Sequence, residues 1–402
     1  MNIVSIALTL AAAPPLAASA YLAALTALSA KRAPGAVSHG LRWVVLVPAH
    51  DEAAGIGATL AGLERLRYPR EDFRVRVIAD NCTDATAAIA RAAGAEVHER
   101  FDPVARGKGH ALRAAIARLL AEPECTWDAL AVIDADTEVD PGMLEQCTAR
   151  LEDGEEALQV AYLPRRHANG AGGAESPGHR ARRVALTAFH VVRSRGREAL
   201  LLSAGLRGNG MAFSRACLAA HPHDAAGRTE DVEYGLQLGL AGVRVGYVDG
   251  TAVWGDMPAD GEASRVQRSR WVGGRFDLLR REAPKLARRL LTRPDPIVAD
   301  LLADLLVPPL SLLLGTLALG TALAAAWAFA SGDAMPLVCW GTASAFAALH
   351  ALRAMAVSGD LASPAALLRA VPDHVFRQCA VAFDRRNHHA RAWVRTPREE
   401  AR

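Results

Sequence analysis

Charged residues are missing from three long stretches of this chain. The stretches cover residues 2–30, 305–330 and 334–352, and only a short polar turn separates the last two. Each stretch approaches or exceeds the ~20 apolar residues that a helix needs to cross a bilayer. The pattern predicts an N-terminal transmembrane helix over residues 1–32 and a C-terminal transmembrane hairpin over residues 301–357.

The N-terminal stretch has a second interpretation, because Ala18-Ser19-Ala20 resembles the small-residue cleavage site of a secretory signal peptide. Its flanking charges favour an uncleaved anchor. No basic residue precedes the stretch, whereas Lys31 and Arg32 follow it. By the positive-inside rule, these cations keep the following domain in the cytoplasm.

The C-terminal hairpin also has an alternative, which is a pair of helices buried in a soluble core. Two adjacent uncharged runs of nearly spanning length are uncommon in soluble proteins, so the membrane interpretation is favoured. Pro308 and Pro309 are expected to kink or break the first helix near its start. An arginine-rich tail over residues 358–402 predicts a cytoplasmic C-terminus, and hence three spans.

Between the apolar stretches, short β-branched runs alternate with Ala-rich segments of helical periodicity. This alternation predicts a mainly parallel sheet covered by helices on both faces, in a domain over residues 41–275. The predicted strands are Trp43–Val47, Val75–Ala79, Ala95–Val97 and Ala129–Ile133, and the predicted helices are Ile56–Leu66, Asp84–Ala93, Gly109–Leu120 and Pro141–Leu151.

Polar residues follow three of these predicted strands. Pro48 and Glu52 come after the first strand, Asp80 after the second, and Asp134 and Asp136 after the fourth. Parallel sheets bind ligands beyond the carboxyl ends of their strands, so these side chains are expected at one edge. The two carboxylates after the fourth strand suit a hard cation, Mg²⁺ or Mn²⁺, that bridges to phosphate. The alternative for this pair is a solvated acidic loop.

The overall charge of the chain excludes one class of partner. A formal net charge of +3 on 402 residues, without a basic and aromatic groove pattern, does not indicate nucleic-acid binding. Six scattered cysteines without a CxxC pair argue against structural zinc and against a disulfide framework. Leucines and basic residues alternate at helical spacing in the segment 276–300, which predicts an amphipathic helix at the membrane interface. A solvated helix face is the alternative.

The second half of the domain contains two segments suited to an acceptor. Residues 206–212 (LRGNGMA) place glycines before a predicted strand, where they permit close approach of a ligand or merely form a turn. Asp231 lies in the triplet Thr229-Glu230-Asp231 at a predicted helix start. A carboxylate at this position can act as a general base or can cap the helix.

Two further segments carry cations. Lys108 opens a predicted helix within the sequence RGKG, which lacks the spacing of a Walker loop but can hold phosphate at a helix N-terminus. Residues 267–271 read QRSRW, in which Trp271 offers a flat face to a sugar ring and the arginines can meet diphosphate oxygens. An interfacial tryptophan flanked by arginines is the alternative.

The order of these motifs along residues 41–276 resembles the membrane-bound family 2 glycosyltransferases, which include cellulose, chitin and hyaluronan synthases. The resemblance implies an α/β domain with the GT-A-like nucleotide-sugar fold. It implies donor contacts from Pro48, Glu52, Asp80, Lys108, Asp134, Gln267 and Arg270, acceptor contacts from Gly208, Asn209, Gly210, Glu230 and Trp271, metal ligation by Asp134 and Asp136, and a general base at Asp231.

The resemblance also sets the expected activity, an inverting, metal-dependent hexosyl transfer. The expected donor is a nucleotide-diphosphate sugar of the UDP class, and the expected product is a β-linked glycan or glycolipid. The protein is expected in the inner membrane with its catalytic domain in the cytoplasm, in contact with membrane lipids and an export or accessory subunit. A non-processive lipid glycosyltransferase and an inactive membrane scaffold are the alternatives.

Overall fold

A mixed β-sheet forms the centre of the domain that follows the N-terminal apolar stretch. The computed structural model describes residues 2–123, 126–165, 177–256 and 262–361. The strands of the sheet in this part of the chain are β1 (Trp43–Ala49), β2 (Phe73–Asp80), β3 (Glu96–Arg100), β4 (Ala129–Val132), β5 (Thr137–Val139), β6 (Ala157–Pro164), β7 (Met211–Ser214) and β8 (Val245–Gly255).

The strand order is β3-β2-β1-β4-β7-β6-β8-β5, and its two halves differ. The strands β3, β2, β1 and β4 are parallel, as predicted. In the second half, β7 runs antiparallel to both β4 and β6, β6 is parallel to β8, and β5 is antiparallel to β8. The prediction of a mainly parallel sheet therefore describes the first half, and the sheet as a whole is mixed.

Helices cover both faces of this sheet, as the alternating pattern predicts. The helices of the described residues are α1 (Ile3–Ala27), α2 (Ile56–Leu63), α3 (Thr86–Ala92), α4 (Lys108–Leu120), α5 (Met143–Glu152), α6 (Pro177–Thr187), α7 (Arg193–Ala199), α8 (Arg215–Ala220), α9 (Glu230–Leu240), α10 (Glu262–Thr292), α11 (Pro296–Leu306), α12 (Leu310–Ser331) and α13 (Met335–Ser358). Of these, α2 and α5 pack on one face of the sheet, and α4 and α9 pack on the other. A π-helical turn, Ala188–Val192, joins α6 to α7.

The two faces of the sheet have separate apolar cores. On one face, Leu60 of α2 and Met143 of α5 pack against alternate residues of β1 and β2. On the other face, Leu112 of α4 and Tyr234 of α9 pack against the remaining residues of the same strands. Because β1 is buried along nearly its whole length, its sequence WVVLV is a continuous apolar run, as expected of a strand covered on both sides.

Three helices in the described ranges, α1, α12 and α13, are long and apolar enough to cross a membrane, judged by length and composition. They pack on one another through small and apolar residues such as Ala12, Leu317 and Ala343. Large apolar side chains on their outer faces stay exposed, including Phe329 at 96%. The break predicted at the two prolines is observed, because α11 ends at Leu306 and α12 begins only at Leu310.

The long helix α10 differs from the predicted segmentation. It continues without interruption through the predicted domain boundary at residue 275, and α11 follows as a separate helix. Its apolar residues Leu278 and Leu286 are buried against α9 and α11. Leu278 and Leu286 are thus covered by the protein's own helices, while Leu291 is 89% exposed and Arg280 and Arg288 face outward.

Candidate active site

The carboxyl ends of β2, β1 and β4 lie side by side, since these strands are neighbours in the sheet. We call this edge of the sheet the donor edge, because the residues predicted to contact the sugar donor lie there. It contains Pro48, which pairs in register with Ile78, and Glu52, whose backbone N–H donates to the Thr86 hydroxyl at 2.7 Å. Asp80 ends β2 at the same edge. The structure therefore brings together the polar strand ends that the sequence pattern places at one edge.

Asp80 is nearly buried and already paired within the donor edge. Its Oδ1 accepts a hydrogen bond from Arg100 Nη1 at 2.6 Å and another from Asn81 Nδ2 at 3.1 Å. The His50 ring nitrogen Nδ1 lies 2.7 Å from the Asp80 carbonyl oxygen. These contacts fix the orientation of the carboxylate at the position where α/β sheets commonly bind a nucleoside.

Asp134 and Asp136 occupy the tight turn between β4 and β5. Asn209 holds this turn, because its Oδ1 accepts from the Asp134 N–H at 3.1 Å and its Nδ2 donates to the Thr137 hydroxyl at 2.8 Å. Burial raises the pKa of the neighbouring Tyr162, and the carboxylates of Asp134 and Asp136 raise it further. The charges of both carboxylates therefore reach the Tyr162 hydroxyl.

Lys108 joins the donor edge to the segment suited to an acceptor. Its Nζ donates both to Asp134 Oδ1 and to the carbonyl oxygen of Gly208. Burial opposes the charge on Lys108, but Asp134, Glu230 and Asp231 outweigh burial and raise its pKa. The cation therefore lies among three carboxylates, at the place where the helix α4 begins.

Gly208 lies directly beside Asp231. A Cβ atom on Gly208 would be 3.2 Å from Asp231 Oδ2 and 3.7 Å from Lys108 Nζ, and its φ of +82° also favours glycine. Gly210 has a different place, because its N–H donates to the Val132 carbonyl at 3.0 Å within the sheet. Of the three predicted loop residues, Gly208 alone lies against the predicted base, whereas Asn209 and Gly210 position the turn and the sheet around it.

Asp231 occupies the first turn of α9 and is partly buried. Burial raises the pKa of its carboxyl group, while the cations of Lys108 and Arg207 oppose that rise. The Thr229 side chain makes no capping hydrogen bond to α9. A partly buried carboxylate with a raised pKa is suited to proton transfer.

Trp271 lines a pocket on the far side of β6. The other lining residues include Tyr162, His190 and Asp256, and the Trp271 side chain is 38% exposed. The rings of Tyr162 and His190 lie 4.9 Å apart. Burial lowers the pKa of His190 to about 3, so this ring is neutral. The aromatic and neutral rings of this wall suit the apolar face of a sugar.

The part of the chain that contains this site matches a known family. Residues 41–274 match the model described as glycosyltransferase like family 2, which is more than half of the chain. The chain belongs to this family. Its catalytic class, glycosyltransferase, is therefore the predicted one.

A curated relative is the probable glycosyltransferase YdaM of Bacillus subtilis (strain 168). It is 30% identical over 95 residues, which are 21% of this chain and 22% of YdaM. The match thus spans only about a fifth of the length of that relative.

Two solved structures are similar to this family 2 glycosyltransferase to different degrees. The mannosyltransferase PcManGT from Pyrobaculum calidifontis, in complex with GDP-Man and Mn²⁺, has a TM-score of 0.57 at 19% identity, covering 95% of this chain and 98% of its own. TarS 1–349 of S. aureus, in complex with UDP-GlcNAc, has a TM-score of 0.43 at 16% identity, covering 86% and 91%. The similarity to PcManGT confirms the predicted fold class.

A second group of potential metal ligands lies at the donor edge. Asp51, Cys82 and Asp84 place one ligand atom each within 4.8 Å of one another. Asp51 Oδ1 accepts from the Thr83 N–H at 2.6 Å, and Asp84 Oδ2 accepts from the Ala53 N–H at 3.0 Å. These bonds order the two loops that follow β1 and β2, apart from the Asp134 turn.

Gln267 and Arg270 cannot be placed in this site. They fall in the first turns of α10, and their side chains lie outside the described residues, as do residues 362–402 of the predicted tail. Conversely, the structure adds Arg100, Tyr162 and Arg207, which the sequence patterns did not single out. Arg207 lies next to Gly208 in the LRGNG segment, and this position beside a predicted site residue is the sequence feature that could have identified it.

Proposed function

We propose that the chain transfers a hexosyl group, with inversion, from a nucleotide-diphosphate sugar to a glycan or lipid-linked acceptor. The observation that carries this proposal is the meeting of four groups from distant segments: the Lys108 ammonium, the Asp134 carboxylate, the Gly208 backbone and the Asp231 carboxylate. One cation thus links the proposed donor metal site to the proposed base.

The oxygen ligands at the turn after β4 fit a hard divalent cation. Asp134 and Asp136 supply carboxylate oxygens only. The Lys108 ammonium already contacts the Asp134 carboxylate, where a metal cation could also bind. These two residues would hold Mg²⁺ or Mn²⁺, which supplies charge neutralisation to a departing diphosphate. The complex of PcManGT with GDP-Man and Mn²⁺ supports a metal and a nucleotide-sugar donor, whereas the UDP class stays a prediction.

Asp231 performs the proton transfer in this proposal. Inverting transfer is one displacement at the anomeric carbon, in which the acceptor hydroxyl must lose its proton as it attacks. The Asp231 carboxylate takes that proton, and Lys108 lies near enough to hold the carboxylate charged before the acceptor arrives. Gly208 leaves room beside this carboxylate, because any side chain there would fill the contact space.

Two alternatives to this proposal predict different outcomes. A non-processive lipid glycosyltransferase adds a single sugar, and three candidate spans favour this version over a synthase that must also build an export channel. An inactive scaffold would retain the fold without chemistry. The retention of Asp136 and Asp231 in a site where the cation and the base converge argues against the scaffold.

The orientation in the membrane is part of the proposal. Lys31 and Arg32 after the first candidate span, and the arginine-rich tail, put the catalytic domain and C-terminus in the cytoplasm, with the turn around Gly332 outside. A cytoplasm-active reporter fused at Arg402 should work, and an export-dependent one should not. The reverse result would contradict this orientation.

The decisive experiment uses the full-length chain in neutral detergent. The protein is incubated with labelled nucleotide sugars that differ in base and sugar, with membrane lipid extract as acceptor, and the product is sized. We expect transfer with Mn²⁺ or Mg²⁺ and none in EDTA. A discrete glycolipid indicates single transfer and a ladder indicates a synthase. Absence of nucleotide release from every donor, in folded protein, would support the scaffold.

A further inference from the structure

A second pocket lies between the loop before β7 and the helices α7, α9, α10 and α11. It is lined by Arg207 of the loop before β7, Val232 of α9, Arg275 of α10, Asp304 of α11 and Arg197 of α7. Val232 is the residue after the proposed base, and Arg207 is the residue before Gly208. The pocket is therefore one residue away from the reaction site along two separate segments.

Two of the arginines around this pocket have carboxylate partners. Arg193 lies 3.1 Å from Asp304, and Arg197 lies 3.0 Å from both Asp300 and Asp304. Tyr21 of α1 joins the same network, because it accepts from Arg197 at 2.8 Å and donates to Asp300 at 2.8 Å. The two aspartates of α11 are thus already committed to these two guanidinium groups.

Among the described residues, no carboxylate lies within ion-pair distance of Arg207 or Arg275. Arg207 is 6% exposed, and its Nη2 donates to the Ala204 carbonyl at 3.0 Å while its Nε has no hydrogen-bond partner. Its guanidinium stacks on the Phe189 ring at 4.0 Å. Arg275 donates only to backbone carbonyls, among them that of Val307 at 2.7 Å.

Arg207 is buried and Arg275 is partly buried. A cation without a carboxylate partner is costly to bury unless something else compensates it. Burial lowers the pKa of Arg207 to about 10 and lowers the pKa of Arg275, and the shared Asp304 only partly offsets this effect. Planar guanidinium groups match the oxygens of phosphate with two parallel hydrogen bonds. Both groups line the same pocket, so one anion can contact both.

We propose that this arginine pocket binds the phosphate group of a lipid acceptor. The inference rests on the proposed function, since it names the class of acceptor that Asp231 deprotonates. It requires an anion next to the base but distinct from the donor diphosphate, which the turn of Asp134 and Asp136 serves. Arg207 holds the phosphate by its unpaired Nε face, and Arg275 approaches from α10.

The location of the pocket favours a lipid over a soluble phosphate compound. Tyr21, which belongs to the network around it, lies in the candidate span α1, and Val307, which accepts from Arg275, directly precedes the proline break before the candidate span α12. A phosphate held here can keep its hydrocarbon chain among apolar helices. The attached acceptor group then lies toward Gly208 and Asp231.

Equilibrium binding of radiolabelled dodecyl phosphate to the full-length chain in neutral detergent tests this proposal. We expect Arg207→Gln to weaken binding by about tenfold or more, since a buried charged hydrogen bond is lost. Arg280→Gln, an exposed arginine five residues after Arg275 on α10, is the matched control and should change binding by less than about twofold. Dodecanol should bind more weakly than dodecyl phosphate, and equally to both variants.

The remaining outcomes are each decisive. If Arg207→Gln does not fold, Arg207→Lys retains the charge without the planar fork, and it should weaken binding about threefold or more relative to Arg280→Lys. Unchanged binding in the folded Arg207 variant overturns the proposal. If inorganic phosphate binds as tightly as dodecyl phosphate, the pocket takes free phosphate and the lipid assignment is wrong.

The same preparations separate this proposal from the proposed function. Nucleotide release from labelled donors is measured beside dodecyl phosphate binding. Arginine-dependent binding without release from any donor would refute the proposed function and leave the pocket standing. Sugar transfer by a chain whose dodecyl phosphate binding ignores Arg207 would refute the pocket alone.

Discussion

The donor edge and the arginine pocket lie on opposite sides of residues 205–210, and they treat their cations differently. At the donor edge, Lys108 contacts the Asp134 carboxylate and the Gly208 carbonyl, so its charge is satisfied within the chain. In the pocket, Arg207 has an aromatic ring, one carbonyl and an unpaired Nε. Both cations act on the carboxylate of Asp231.

The contrast indicates which class of ligand each region is suited to bind. Under the proposed function, a metal held by Asp134 would compete with Lys108 for this carboxylate, and the released ammonium would be free to contact phosphate oxygens. Nothing in the described residues competes in this way for Arg207. A site in which the chain satisfies its own cation suits a donor that brings a metal, whereas a site with an unpaired cation suits a bare anion.

The largest effect should come from the metal side of the donor edge. Asp136→Ala removes one oxygen ligand and its charge, so transfer should fall on the order of 10³-fold or more with expression unchanged. EDTA should act likewise, and Mn²⁺ or Mg²⁺ should restore only the wild type. The matched control is Glu138→Ala, an exposed carboxylate two residues along on β5. Full activity of the Asp136 variant, or in EDTA, would falsify the metal assignment.

Asp231→Asn should have the next largest effect. Asparagine retains the size and much of the capping capacity of aspartate but takes no proton, so turnover should fall about 10²-fold or more while nucleotide binding stays unchanged. Asp224→Asn, an exposed acid of the preceding loop that pairs with Arg113 at 3.1 Å, should be almost silent. A variant that loses heat stability yet keeps its turnover would make Asp231 a helix cap.

Lys108→Met tests whether one cation serves both the donor and the base. Donor affinity should fall about tenfold, because the charge beside the diphosphate site is lost. Lys108 also lowers the pKa of Asp231, so its removal should move the acid limb of the pH profile of kcat/KM to higher pH. Arg113→Met, on the same helix, should move neither. An unshifted acid limb would separate Lys108 from the base.

Local sequence patterns were sufficient for the donor edge. Strand periodicity and polar strand ends predict that Asp80, Asp134 and Asp136 share an edge, since parallel neighbours end together. The contact between Lys108 and Gly208 joins positions 100 residues apart, and no local pattern reports it. The arginine pocket depends on helix packing among α7, α9, α10 and α11, which periodicity does not specify.

The misjudged segments have a common physical origin. An apolar stripe on a helix indicates that this face is covered, but it does not indicate which element covers it. Leu278 and Leu286 of α10 are covered by α9 and α11, so the pattern predicted the helix but not these partners. Contact of the same helix with the membrane stays a prediction. Likewise β7 is a short apolar run whose antiparallel place between β4 and β6 arises from long-range pairing.

Trp271→Ala should have the smallest effect and falls on the acceptor. Losing the ring removes a stacking face from the pocket shared with Tyr162 and His190, at a cost of about 1 kcal/mol of sugar binding, or about fivefold in acceptor KM. Donor hydrolysis to water should decline less than transfer, because the metal turn is not touched. The matched control is Phe276→Ala, about one and a half helical turns further along α10. A second variant, Arg270→Ala, should lower hydrolysis and transfer together if its guanidinium faces the pyrophosphate. Equal loss of hydrolysis and transfer in a folded Trp271 variant would mean that this ring supports the architecture of the site rather than the acceptor sugar.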